Sequence, residues 1–187
     1  MVVEMKVMGL SLDEATKAPI LVLKQREGDD VLPIWIGAME AMAISLALND
    51  VETPRPLTHD LLLTSLAAMG AKLVAVNVVD LREGTYFAEL EIIQGETTVR
   101  VDSRPSDAVA LALRAEAPIM VSSEVLQKAG DERLRPMHGD PALLKSPSDA
   151  AAALLKQDGT PSPAGDASED ELEELLRKLE PVTKYKM

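Results

Sequence analysis

Apolar and polar residues alternate from the start of the chain. Val3, Met5 and Val7 flank Glu4 and Lys6, the period of two expected of a strand with one buried face. The same reading predicts strands over about 2–12, 20–26 and 31–36, with a Gly28-Asp29-Asp30 turn between the last two. A second trio is predicted over 72–81, 86–93 and 97–102, with Glu83-Gly84 and Gly95-Glu96 at its turns. After each trio comes a helix, 40–48 and 107–114, apolar on nearly all faces and therefore expected to be buried. A second short helix follows each, with Thr58 and Ser122 at the N-cap positions. Short polar connections imply antiparallel meander sheets, and the fold class is α+β.

The halves also match each other residue by residue. With a shift of 67, Asp13 falls on Asp80, Gly28 on Gly95, and Glu40-Ala41 on Asp107-Ala108. With a shift of 64, Glu52 falls on Glu116, Pro54 on Pro118, and Thr58 on Ser122. The expectation is an internally duplicated strand-strand-strand-helix-helix unit, copy one about 2–70 and copy two about 71–130. Residues 131–167 read as an irregular segment and a linker rich in Gly, Pro, Ser and Thr. Residues 168–180 read as an acidic helix opened by the capping box Ser168-Glu169-Asp170-Glu171, with a narrow stripe of Leu172, Leu175, Leu176 and Leu179. Residues 181–187 form a tail. The stripe suits a protein-interaction helix or a helix folded back on the domain.

Composition narrows the chemistry. There is no cysteine, so neither a disulfide framework nor a thiolate metal site is available. Trp35, Tyr86, Phe87 and Tyr185 are all the aromatics, which leaves the core to aliphatic residues and methionine. No apolar run reaches membrane-spanning length and no signal-peptide pattern opens the chain, so a cytoplasmic protein without membrane contact is expected. Net charge is -12, and residues 1–130 hold 19 acidic against 11 basic residues. That excludes a broad cationic face for nucleic-acid phosphates; affinity for a polyanion would need a local arginine cluster or bound cations.

Polar residues concentrate where strand 97–102 gives way to helix 107–114, at Asp102-Ser103-Arg104-Pro105-Ser106-Asp107. A helix start needs one capping side chain, so the surplus is a hydrogen-bond network or a site. Arg104-Pro105-Ser106-Asp107-Ala108 resembles the signature of the bifunctional nuclease domain family. So do Leu32-Pro33-Ile34-Trp35-Ile36-Gly37, Glu40-Ala41 with its helix, and Arg55-Pro56-Leu57-Thr58-His59-Asp60, over about 3–126 in all. The resemblance implies DNase and RNase activity and a homodimer.

Comparing the halves picks out what each carries alone. Arg55 aligns with Ile119, His59 with Ser123, Arg104 with Gly37, and Asp102 with Trp35, while Glu40 and Asp107 are equivalent acids. A phosphodiester site is thereby offered with His59, Asp60, Arg104, Asp107 and Asp102 as catalytic candidates. Arg55, Arg104 and Ser106 would bind substrate, and Glu40 and Asp107 would hold a divalent metal such as Mg or Mn. Arginine would neutralise phosphoryl charge, histidine would move a proton, and carboxylates would hold the ion. Bland roles stay open: Arg104 as a structural ion pair, Asp60 on its helix dipole, Ser106 as a helix hydrogen-bonder, Tyr86 and Phe87 as core. His138 lies outside the matched region. The leading reading is a nuclease acting on DNA and/or RNA. The alternative is a non-catalytic regulatory module that binds an anion or a protein through the same polar cluster.

Overall fold

The computed structural model describes residues 1–132 and the two-residue strand Leu143–Leu144. Three strands, β1 (Val2–Leu12), β2 (Pro19–Gln25) and β3 (Val31–Trp35), lead into helices α1 (Ala38–Leu48) and α2 (Thr58–Ala68). Next come β4 (Ala71–Arg82), β5 (Thr85–Gln94), β6 (Thr97–Ser103) and helix α3 (Pro105–Ala115). Strand β7 (Ile119–Ser122), helix α4 (Ser123–Glu132) and β8 (Leu143–Leu144) complete the described elements. Glu83 and Gly84 both have positive φ, 50° and 75°, the backbone of a tight two-residue hairpin between β4 and β5.

The class is α+β, but the two expected meander sheets are one mixed sheet of order β3-β2-β1-β7-β4-β5-β6, with β8 beside β1. The joint is β7, antiparallel to β1 and parallel to β4. It has no counterpart in the first half, where the corresponding residues Arg55-Pro56-Leu57 are loop and Thr58 starts a helix. The sheet curls far enough for the Tyr86 hydroxyl of β5 to donate to the Pro33 carbonyl of β3, at 3.4 Å.

Helix α3 packs on β4, β5, α1 and α2. It buries Ala108, Val109, Ala110, Leu111 and Ala112, and matches the expectation of a buried helix. Helix α1 does not: Ala41, Ile44 and Ser45 are buried, but Met39 is 66% exposed. Its largely apolar sequence conceals the difference, because one side packs on α3 and the other has no covering element among the described residues. Helix α2 buries no residue completely. It starts at Thr58, one residue earlier than Thr58 as N-cap would require. Leu57 is the N-cap, and the Asp60 carboxylate accepts its backbone N–H at 2.8 Å. The Ser122 hydroxyl accepts the Glu124 N–H at 3.3 Å, the capping role expected of it. On α4, Lys128 donates to Asp80 of β4 at 2.7 Å; Lys128 and then Arg82 hold that carboxyl well below the usual range. Among the described residues no helix is long and apolar enough to cross a membrane. The expected helix 168–180 and His138 lie outside the described residues.

Candidate functional site

Strand β6 ends at Ser103, and Pro105 opens α3 with its ring-fixed φ. Arg104 between them is the N-cap, in extended conformation, and its side chain is left free to reach sideways. Because α1 packs against α3, the N-terminus of α1 lies within that reach. Arg104 Nη1 donates to Glu40 Oε1 of α1 at 2.7 Å. Its Nε and Nη2 donate to Asp107 Oδ2 and Oδ1 of α3 at 2.6 and 3.0 Å, a bidentate pair. His59, in the first turn of α2, brings its Nε2 to 3.4 Å from the same Asp107 Oδ1.

Three helices thus meet around one guanidinium. Three of its five N–H groups are engaged, and the side chain is 64% exposed. Glu40 and His59 are much more enclosed, at 19% and 18%. Burial pushes the Asp107 carboxyl up, but the hydrogen bonds and charge of Arg104, with a smaller share from His59, outweigh it and hold the group below its ordinary value. Asp107 and then Glu40 raise the Arg104 guanidinium further still, so it stays charged at any working pH.

The geometry depends on a missing side chain. Gly37 is the N-cap of α1, and a Cβ there would collide with Glu40 Oε2. The bare Cα lets the carboxylate fold back towards Arg104. Gly37 has φ -75°, which alanine adopts freely. Gly37→Ala is therefore expected to change unfolding free energy by less than about 1 kcal/mol while moving Glu40 off Arg104. A crystal structure of the variant with the Glu40–Arg104 bond intact would refute this.

Other residues nominated by the sequence stand apart. Asp102 is exposed on β6 opposite Glu89, on the strand face away from Leu90 and the core. Its carboxylate makes no hydrogen bond or ion pair among the described residues, and strand alternation sets it beside Glu89 rather than with the other catalytic candidates. Ser106 is only 6% exposed in the first turn of α3, which leaves it little access to a substrate. Arg55 is exposed in the loop before α2, and its guanidinium has no ion pair among the described residues. Tyr86 packs against the core, and Phe87 carries the Arg82 guanidinium 5.1 Å above its ring.

Asp60 does not present a free catalytic carboxylate. One oxygen caps Leu57, and the other accepts Arg114 Nε at 2.7 Å. Arg114, in the last turn of α3, was not singled out by sequence reasoning. The available signal is a lone cation ending the apolar run from Ala108 to Leu113. It is 11% exposed and also donates to the carbonyls of Ala110, at 2.9 Å, and Ala43, at 3.1 Å.

The carboxylate pair expected to hold a divalent metal, Glu40 and Asp107, is spent on Arg104 instead. Among the described residues no group of three acidic, histidine or cysteine side chains has the arrangement of a metal site. In this arrangement the positive charge between these carboxylates is the protein's own guanidinium.

The chain is 46% identical over 127 residues to an uncharacterized protein of Mycobacterium tuberculosis, an alignment covering 68% of this chain and 76% of that one. It is 27% identical over 131 residues to bifunctional nuclease 1 of Oryza sativa subsp. indica, covering 68% of this chain and 40% of the plant protein. Bifunctional nuclease 1 of Arabidopsis thaliana is 29% identical over 126 residues, with 65% of this chain and 39% of the plant protein aligned. Residues 21–133, which include Glu40, His59, Arg104 and Asp107, match the model of the bifunctional nuclease domain. The chain belongs to the bifunctional nuclease domain family.

Proposed function

We propose that this protein hydrolyses phosphodiester bonds of DNA and/or RNA at the junction of α1, α2 and α3. The observation that carries the reading is Arg104: an exposed guanidinium fixed by two carboxylates, with unspent N–H groups and an imidazole held on one of those carboxylates. The free N–H groups suit two phosphoryl oxygens. Asp107 orients His59 as a carboxylate orients a catalytic imidazole, and His59 moves the proton. Arg55, exposed in the loop leading to α2, adds a second cation for the flanking backbone.

A second reading, a non-catalytic module that binds an anion or a protein, is favoured by charge. The two carboxylates already outweigh Arg104, and the chain as a whole is acidic. A homodimer remains part of the proposal: the outer strand β6 leaves Val99 and Val101 each 42% exposed, and α2 leaves Leu61 58% exposed.

The deciding experiment incubates the purified protein with labelled DNA and RNA oligonucleotides over a range of salt, beside His59→Gln. Weak cleavage that falls steeply with salt is expected, because few cations serve the polyanion and screening acts on each. The variant should lose it. Equal cleavage by wild type and His59→Gln marks a contaminant, and binding without cleavage favours the second reading.

A further inference from the structure

The two arginines of α3 form two tiers on the same three helices. Around exposed Arg104 stand Glu40 of α1, His59 of α2 and Asp107 of α3. Around half-buried Arg114 stand the Ala43 carbonyl of α1, the Asp60 carboxylate of α2 and the Ala110 carbonyl of α3. Ala43 lies three residues after Glu40, Ala110 three after Asp107, and Asp60 directly after His59. The lower tier therefore sits about one helical turn or less below the upper one on each helix.

We propose that Arg114 and Asp60 are positioning residues: together they hold α2 against α1 and α3, and so set where His59 stands relative to Asp107. The need for such a device follows from packing. Helix α2 has no completely buried residue, so apolar contact alone secures it weakly against the other two helices. At 3.4 Å, the His59–Asp107 contact is at the long limit of a hydrogen bond, and a small slide of α2 would break it. The charged pair of Arg114 and Asp60 is the tie beside it, one residue along α2, and Arg114 extends that tie to backbone atoms of both other helices. A planar fork serves three acceptors in fixed directions, which a lysine ammonium on a flexible stem does not. The kinetic part of this inference rests on the proposed phosphodiester chemistry; the geometric part does not.

The test uses the full chain and the variants Asp60→Asn, Arg114→Lys and Arg114→Ala. The readouts are thermal unfolding, the imidazole ¹H–¹⁵N spectrum of His59 (assigned with His59→Gln, since the chain has two histidines), and kcat and KM on an oligonucleotide. Asp60→Asn keeps the side-chain shape and removes the charge that pairs with Arg114. It should shift or broaden the His59 signals and lower kcat by about tenfold or more, with KM within about twofold because Arg104 is untouched. Arg114→Lys should fall between wild type and Arg114→Ala. Lower unfolding temperatures with His59 signals superimposed on wild type, in all three variants, would overturn the proposal and leave the pair a general staple. If wild type cleaves no substrate, the proposed function falls while the His59 spectra still decide the positioning role.

Discussion

Arg104→Ala is expected to lower phosphodiester cleavage by about 10²- to 10³-fold, the usual cost of deleting one preorganised charge-stabilising group. The protein should stay folded, because the side chain is 64% exposed. The stability change should carry its own signature in pH. In the wild type Asp107 is held below its ordinary value. Its stabilising contribution is therefore complete above the ordinary carboxylate range and is lost as pH falls through the lowered value. Without Arg104, burial of Asp107 is opposed only by His59, and Glu40 faces Asp107 with no cation between them. The folded-state affinity of Asp107 for a proton then rises, so protonation favours the folded variant. The stability difference between wild type and variant should be largest near neutral pH and shrink towards acid. Chemical denaturation at several pH values measures it directly. A pH-independent difference would mean that the Arg104 pairs are solvated surface contacts, and cleavage at the full wild-type rate would remove Arg104 from the mechanism.

Leu111→Ala is expected to cost about 2–5 kcal/mol, the largest stability loss among these variants. Leu111 is 1% exposed, on the helix that packs at once on β4, β5, α1 and α2. Few groups around it are free to collapse into the space. The sheet is tied by its hydrogen-bond ladders, and the neighbours on α3, Val109, Ala110 and Ala112, are themselves buried. At about 2–4 °C per kcal/mol for a chain of this size, the melting temperature should fall by roughly 5–20 °C. Because α3 also carries Arg104 and Asp107, activity should fall with the folded fraction and recover on cooling. A melting temperature within about 2 °C of wild type would show that α3 is not the central helix of the core.

What the chain encodes locally was legible in it. The alternation at Val3, Met5 and Val7 and the Glu83-Gly84 turn are each decided within a few residues, by side-chain period and backbone sterics. So was the concentration of polar groups at residues 102–107, which no helix start requires. The resemblance motifs pointed to Glu40, His59, Arg104 and Asp107, and these four are the residues that the fold gathers.

Contacts between distant parts of the chain decided the rest. Alternation cannot say which strand lies beside which, so the insertion of β7 between β1 and β4 was not readable from local pattern. The apolar sequences of α1 and α3 look equally buried, and only the neighbours each helix received separate them. Asp60 and Asp102 are alike as isolated acids. One is consumed by Arg114, 54 positions away, and the other is turned outward by the pleat of an edge strand. The fate of Glu40 and Asp107 depends on the same physics. Two carboxylates brought together favour a cation between them, and the packing of α1 on α3 places Arg104 there.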